Sequence, residues 1–456
     1  MKRLKIKLKQ HTPLIHFQHD QEGATLRASE VKPKLDRFII SKLGEKYYDG
    51  ISDDEYEEVA TIFEKENKQK KSFDDISQKE QEFEVGKYVA HKKKWIIGKN
   101  GDALNYKMRI QSDSGSTRSE YMLVSYVNDR NMERLRRQGI MPISNSPFFA
   151  QEKENREIYN ANDPVSEWNN IGKKGVFESG TINIAFLCLN NEIENDLFDF
   201  LSTNIQPFFI STNFGTRQTK GFGSFSVIEI KYDDRLIPLT NNEDLLKQNF
   251  QFVYKKNDTD YSKQPHSRFK GIFSTINDDY KLLKSGRRGR NYLRSKVMLF
   301  ADNAGYKWDK RFIKKEFNAI PNNHYSLKSE HRSNPANNDE MYLYYRALLG
   351  LAEQFEFLLD NQPAGNKMIV KVSPNDSEIQ RYQSPLLFKV IGNDIYIVGN
   401  EVCADMLGKT FKFQMTIPND KNWRTAPVTI NTPSSFKLKD FIRFAMRDNL
   451  NYIKLK

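Results

Sequence analysis

From Arg3 to Lys9 the chain alternates strictly, with Leu4, Ile6 and Leu8 on one side and Arg3, Lys5, Lys7 and Lys9 on the other. Period-2 alternation is the pattern of a half-buried β-strand, because successive side chains point to opposite faces of a sheet. The segment must therefore join a sheet that covers a core on one face, and its outer face is a row of cations. A polar loop runs from His16 to Arg27, after which Leu35, Phe38, Ile39 and Leu43 recur at helical spacing, with Pro33 placed to sit in a first helical turn.

Beyond this opening, residues 53–82 (DDEYEEVATIFEKENKQKKSFDDISQKEQE) carry many charges and few apolar positions, the mark of an exposed helical insertion outside the core. KYVAHKKKWIIGKNGDALNYKMRI and RSEYMLVSYV alternate around the turn signal Asn100-Gly101, which predicts a hairpin and a following strand. The interval 127–175 reads mostly as loop, basic at Arg130, Arg134, Arg136 and Arg137. A strand over Thr181–Leu189, a helix from about Glu192 to Ser202 and a strand-like PFFIS then lead into the glycine-rich FGTRQTKGFGSFSVIEIKY.

A second cycle opens at QFVYKK near residue 250. Its patterns predict helices at WDKRFIKKEF and MYLYYRALLGLAEQFEFLL, strands at NKMIVKVS, SPLLFKVIG and DIYIVGN, and a closing basic helix from Lys437 to Asn451. A length of 456 residues exceeds what one core organises, so two domains are expected, 1–240 and 241–456. Strands and helices in this order point to an α+β sandwich with antiparallel partners, not to βαβ winding.

The formal charge of +12 makes a polyanion the first partner to consider. Cys188 and Cys403 stand far apart and build neither a disulfide framework nor a zinc module, so a reducing cytoplasm is expected. With no run of about 18 apolar residues, no membrane partner is expected.

The most informative short stretch is Phe214-Gly-Thr-Arg-Gln-Thr-Lys-Gly-Phe-Gly-Ser-Phe225. Gly221 and Gly223 permit close backbone approach, and Arg217 and Lys220 set cations beside exposed amides, a combination that suits phosphate. It is no Walker loop, since Lys220 precedes Gly221 where that motif needs Gly-Lys-Ser/Thr. A tight turn feeding the strand from Ser224 to Ile230 explains the glycines equally well.

Gly215-Thr-Arg217-Gln-Thr-Lys220-Gly221-Phe222-Gly223-Ser224 resembles the glycine-rich loop of the RAMP superfamily of CRISPR-associated proteins, which lies between the last helix and last strand of a ferredoxin-like domain. Thr12-Pro13-Leu14 and Leu26-Arg27-x-Ser29 are similar to the family's first strand, polar loop and basic helix. The stretch from Glu378 through Arg381, Ser384-Pro385 and Phe388-Lys389 is similar to the second domain of the first RAMP-module subunit of type III-B effector complexes. The resemblance implies two ferredoxin-like (RRM-like) domains and an RNA-binding subunit of a type III ribonucleoprotein, its partners guide or target RNA and other RAMP subunits. No second glycine-rich loop ends the C-terminal half, and the charged insertion departs from the family's pattern.

Residues 281–315 contain twelve Lys or Arg against two Asp. Tyr292, Tyr306 and Trp308 are interleaved with these cations, and aromatic faces stack bases while guanidinium groups hold phosphates. Arg287, Arg288 and Arg290, and after them Arg294 and Lys296, are candidate RNA contacts; a solvated basic loop is the alternative. Lys32 and Lys34 flank Pro33, where a helix start would offer free amides to one phosphate. His11, His16, His19 and Asp20 invite a metal or acid–base reading, but no helical His pair with a Glu accompanies them.

RNA contact is accordingly expected at Lys5, Lys7, Lys9, His16, His19, Arg27, Lys32, Lys34, Arg217 and Lys220 through Ser224, besides the basic segment. No catalytic residue, metal, cofactor or small-molecule substrate is expected. Two rival functions keep their place: a metal-independent RAMP endoribonuclease with His16 or His19 as base or acid, and a protein-binding scaffold.

Overall fold

The N-terminal alternation becomes β1 (Leu4–Gln10), whose Leu4, Ile6 and Leu8 are buried while Lys5 and Lys9 are exposed. The architecture is that of a computed structural model, which describes residues 3–16, 26–68, 72–98, 101–124, 129–144, 161–171, 174–257, 265–287, 293–321, 323–328, 340–360, 367–375, 382, 384–448 and 450–456. The chain forms two compact units. The first holds Met1–Asn249, Asn257–Ser274 and Phe388–Tyr396; the second holds Phe250–Lys256, Thr275–Leu387 and Ile397–Lys456.

In the first unit β1 is followed by β2 (Leu14–Ile15), α1 (Ala28–Tyr47), α2 (Asp53–Glu66), α3 (Gln78–Lys92), β3 (Lys107–Ser112), β4 (Arg118–Val124), α4 (Asp129–Arg137) and β5 (Met141–Ser144). Then come α5 (Pro164–Ile171), β6 (Lys174–Glu178), β7 (Thr181–Leu187), α6 (Asn191–Ser211), β8 (Phe225–Tyr232), the short β9 (Arg235–Leu236) and α7 (Asn242–Asn249). The main sheet runs β3-β7-β1-β8-β9, each pair antiparallel. Its inner face meets α1 and α6 over Leu4, Ile6, Ile184, Phe186, Leu35, Ile39, Leu197 and Phe209. Fully burying one such side chain contributes about 1.5–3 kcal/mol, which fixes the register and leaves the opposite face open. A second sheet, β2-β6-β4-β5, carries a small core of Met122, Leu135, Ile140 and Trp168.

The charged insertion is helical but not coreless. Ser52 and Ser77 each open a helix with a capping box to Glu55 and Glu80. Val59, Phe63, Phe73, Val85 and Tyr88 close a small core of their own. α3 lies so close to α1 that a Cβ on Gly44 would meet the Glu82 carbonyl oxygen at 1.8 Å. KYVAHK therefore ends a helix and not the hairpin strand that its alternation predicts, because Gln81, Val85 and Tyr88 bury at spacings of four and three.

PFFIS is the last turn of α6: Phe208 and Phe209 continue the phase of Leu201 and Ile205 into the core, and burial of that face outweighs the donor lost at Pro207. α1 begins at Ala28, five residues before Pro33, so Lys32 and Lys34 do not flank a helix start with free amides. Within the interval 127–175 the described residues include α4, β5, α5 and the first residues of β6, while 127–128, 145–160 and 172–173 lie outside the described residues.

The second unit contains β10 (Phe252–Lys256), the C-terminal half of α8 (Pro265–Lys284), α9 (Lys296–Asn303), β11 (Lys307–Trp308), α10 (Asp309–Asn318), β12 (Tyr342–Leu343), β13 (Gln354–Leu358) and β14 (Lys367–Pro374). The hairpin β15 (Leu386–Ile391) and β16 (Asp394–Gly399) gives its tip, Phe388–Tyr396, to the first unit. β17 (Thr410–Ile417), β18 (Asp420–Arg424), β19 (Val428–Asn431), α11 (Leu438–Ala445) and β20 (Ile453–Lys454) complete the chain. MYLYYRALLGLAEQFEFLL is not a helix. Tyr344 packs on Phe411 and Phe413 while its neighbour Tyr345 turns to Phe436, and Gly350 at φ 105° ends the intervening 3-10 turn. The closing helix stops at Ala445, short of Asn451. Overall this is an α+β fold of mainly antiparallel sheets. Among the described residues, no helix is long and apolar enough to cross a membrane.

Candidate nucleic-acid interface

The open face of the main sheet carries cations on three of the four strands β3, β7, β1 and β8. Lys5 stands opposite Ala185 on one side and Lys231 on the other, and Ala185 stands opposite Arg109, which sets cations from three strands in one row. Lys7 and Lys9 continue along β1, and Lys107 along β3, each two residues from its neighbour and so about 6.7 Å further on. Glu229 sits between Lys7 at 3.2 Å and Lys231 at 3.5 Å, and the Lys7 hydrogen bond holds its carboxyl below the usual range. The outward positions on β3, β7, β1 and β8 in these registers carry no aromatic side chain. Such a face can grip a phosphate backbone but offers bases no aromatic platform.

At one end of this sheet the glycine-rich segment links α6 to β8 in a compact turn. Phe214 N–H donates to the Gly223 carbonyl at 2.9 Å, Gly223 N–H to Pro13 at 2.9 Å, and Thr216 N–H to Ile15 at 2.8 Å. Gly223 has φ 63°, and a Cβ there would meet the Phe214 carbonyl oxygen at 2.0 Å, so only glycine fits. Arg217 also adopts a left-handed backbone, φ 63°, at the loop's tip.

The expected residues divide by what their side chains touch. Arg217 and Lys220 are half-buried at the loop surface. Phe222 is buried and stacks on Phe273 with centroids 3.9 Å apart, and Ser224 is buried with its hydroxyl donating to the Val390 carbonyl at 2.6 Å. Both therefore build the loop from inside, as do the backbones of Gly221 and Gly223. Lys34 donates to Gln218 at 2.9 Å on the loop's flank, with burial pulling its pKa down. Lys32 is spent internally, on Asp36 at 2.5 Å and the Leu104 carbonyl at 2.9 Å. Arg27 stands at the N-cap position of α1 without a side-chain cap hydrogen bond, and His16 is half-buried beyond β2.

Elsewhere the basic segment behaves differently at each position. Arg287 is exposed, paired with Asp278 at 2.9 Å, and exchanges both backbone hydrogen bonds with Leu293. Arg294 is exposed, whereas Lys296 is buried at the start of α9, 4.0 Å from Asp448. His19, Arg288 and Arg290 lie outside the described residues. Among the described residues, no group of three or more His, Cys, Asp or Glu is arranged to hold a metal.

Sequence reasoning missed Lys107, Arg109 and Lys231, whose outward alternation was visible but whose place in the same sheet as β1 was not. It also missed the inner support of the loop. His11 is buried, accepts at Nδ1 from Gly392 N–H at 3.1 Å and bonds through Nε2 to Ser226 at 2.8 Å. Arg268 donates to the carbonyls of His11, at 2.9 Å, and of Gly392. These are structural bonds and leave His11 no place in metal or acid–base chemistry.

The glycine-rich loop carrying Arg217 and Lys220 lies between α6 and β8 of an antiparallel sheet, the place that the resemblance to RAMP proteins implies for it. The Cmr1 N-terminal domain matches residues 1–287 and the Cmr1 C-terminal domain matches residues 292–454. The chain belongs to the Cmr1 family. Among curated proteins none matches. Among solved structures, Cmr1 from Pyrococcus furiosus in its apo form is similar at 12% identity over 100% of this chain and 98% of that one, with a TM-score of 0.36. A chain of the type III-B Cmr-beta complex bound to cognate target RNA and AMPPnP is similar at 12% identity over 87% and 93%, with a TM-score of 0.36.

Proposed function

We propose that this protein is an RNA-positioning subunit of a type III-B CRISPR effector complex, built on two ferredoxin-like domains near 1–240 and 241–456. Membership of the Cmr1 family supports the assignment. The domain reading is supported by a β-α-β-β-α-β order that occurs twice. In the first the sheet order is β3-β7-β1-β8, and in the second it is β15-β16-β10-β20, so that each sheet reads second, third, first, fourth strand.

The observation that carries RNA positioning is the aromatic-free cationic row of Arg109, Lys5 and Lys231 with Lys7 and Lys9, ending near the Arg217 and Lys220 loop. Contacts go to phosphates and sugars, so binding tolerates sequence. Partner subunits in the assembly would order the RNA along it.

The test is affinity for single-stranded RNA across a salt series. For single strands the log–log slope is about −0.7 per phosphate neutralised, so Arg217→Ala/Lys220→Ala should flatten it by about 1.4 and Lys5→Ala/Lys9→Ala/Arg109→Ala by about 2. Affinity should change little between RNA sequences of equal length, and the RNA should stay intact. Slopes unmoved by both variants would remove the interface. Absence of binding would favour a scaffold, and metal-independent cleavage lost on replacing His16 or His19 would favour the endoribonuclease.

A further inference from the structure

Lys389, on the hairpin tip that belongs to the first unit, is fully buried, yet among the described residues no carboxylate is a partner of its ammonium nitrogen. Its Nζ donates to the carbonyl oxygens of Phe209 at 2.7 Å and Thr212 at 2.9 Å, and to Asn213 Oδ1 at 3.1 Å. Three acceptors match the three N–H donors of an ammonium. Two of them are main-chain oxygens at the C-terminal end of α6, where helical carbonyls lack partners and the macrodipole is negative. Burial alone pulls the Lys389 pKa well below its ordinary value, so such a cation is costly unless every donor is used.

The third acceptor passes the restraint on. Because Asn213 Oδ1 is fixed by Lys389, its amide nitrogen faces the other way and donates to the carbonyls of Gln218 at 2.7 Å and Phe388 at 3.0 Å. Gln218 follows Arg217 directly and precedes Lys220 by two. On the other side of the turn, Phe388 N–H donates to the Thr219 carbonyl at 3.1 Å, and the Ser224 hydroxyl donates to Val390. Residues 388–390 thus hold both flanks of the loop that displays the two cations, one of which sits in a left-handed conformation that an arginine does not adopt unaided.

We propose that Lys389 is a positioning residue for RNA: through Asn213 it sets the shape of the 214–224 loop, so that Arg217 and Lys220 reach adjacent phosphates although Lys389 touches no RNA. This rests on the RNA-binding reading above. A cation buried for packing alone would not reach a side-chain amide that itself staples the loop.

The experiment uses the full chain with Lys389→Met, and with Asn213→Ala as a second variant that keeps the ammonium and its two carbonyls. Tryptic cleavage after Arg217 and Lys220 is followed by mass spectrometry, and affinity for a single-stranded RNA oligonucleotide is measured over salt, alone and in the Arg217→Ala/Lys220→Ala background. Each variant is expected to speed cleavage at those two sites about tenfold relative to sites elsewhere, since proteolysis tracks the opened population. The salt slope should flatten by about 1.4, as in the loop variant. In the loop-variant background the same substitutions should change affinity no further.

Uniform acceleration of cleavage at all sites, or an equal loss of affinity in both backgrounds, would reduce Lys389 to ordinary stability and overturn the proposal. Should Lys389→Met not fold, Asn213→Ala carries the same two readouts. If the wild type binds no RNA while loop cleavage responds as expected, the RNA reading fails and the control of loop shape stands.

Discussion

Asp309→Ala should cost about 3–5 kcal/mol of stability in the second unit, the range for removing one partner of a buried ion pair. Asp309 is fully buried at the first position of α10, and Arg346, 2% exposed, grips it with Nε at 3.0 and 2.8 Å from the two carboxylate oxygens and with Nη2 closing the pair. The guanidinium lies over the Phe355 ring at 4.0 Å and the Trp308 ring at 5.3 Å, so water cannot replace the lost carboxylate.

The surroundings worsen the loss. Lys284 and Lys310 are both pushed down to about 7, first by burial and then by the charge of Arg346, and Asp309 is the group that raises them. Without it the Arg346 charge is left unpaired beside two lysines whose pKa values fall further. Lys284 holds the Gly350 carbonyl at 2.5 Å and Lys310 the Ser285 carbonyl at 3.2 Å, so two neighbouring turns depend on the same balance. Arg346→Met/Asp309→Leu removes both charges and should return to within about 2 kcal/mol of wild type, on either side. Urea unfolding with a common m-value measures both variants. A single-variant loss below about 1 kcal/mol would show that the pair is solvated in solution.

Elements whose apolar spacing is decided locally were legible in the sequence. β1 needed only Leu4, Ile6 and Leu8, and β14, β15 and β16 needed only alternation between turn signals. α10 declared itself through Phe312, Ile313 and Phe317. The failures share one cause, that distant partners decide. Pro207 reads as a helix stop until the core on Phe208 and Phe209 is known. Tyr344 and Tyr345 read as a helix face until each is seen to have its own aromatic partners. The charged insertion reads as solvated until Val59, Phe63 and Phe73 meet Val85 and Tyr88 from the following helix.

The candidate site shows the same division. The cations of β1 and of the glycine-rich loop were legible because strand alternation and turn chemistry are local properties. Arg109 and Lys231 were not, because sheet order is set by which strands pair. Phe222 and Ser224 were counted with Arg217 and Lys220 on the strength of adjacency, yet they point inward to Phe273 and Val390. Lys389 lies 176 residues from Asn213, and no pattern in the sequence joins them.

Acid should unlatch the inner support of that loop through His11. Its pKa is lowered from 6.5 to about 3, chiefly by burial and then by the cations of Lys389, Arg268 and Lys9. Nδ1 accepts from Gly392 N–H, so a proton added there would also oppose a donor. Above pH 6.5 the ring is neutral in folded and unfolded chains alike, and His11 contributes no pH dependence. Between 6.5 and 3 the unfolded chain binds a proton that the folded one refuses, so stability falls by about 1.4 kcal/mol per pH unit. From pH 6.5 to 4.5 the loss should reach about 2–3 kcal/mol. Glu30 and Asp36, whose buried carboxyls have raised pKa values, act in the opposite direction, because the folded chain takes up their protons first. The decisive quantity is therefore the difference between wild type and His11→Asn, which keeps an acceptor for Gly392 but cannot titrate. Wild type should lose about 2–3 kcal/mol more than the variant over that interval in urea unfolding, and equal losses would mean that His11 is already open to water in the folded protein.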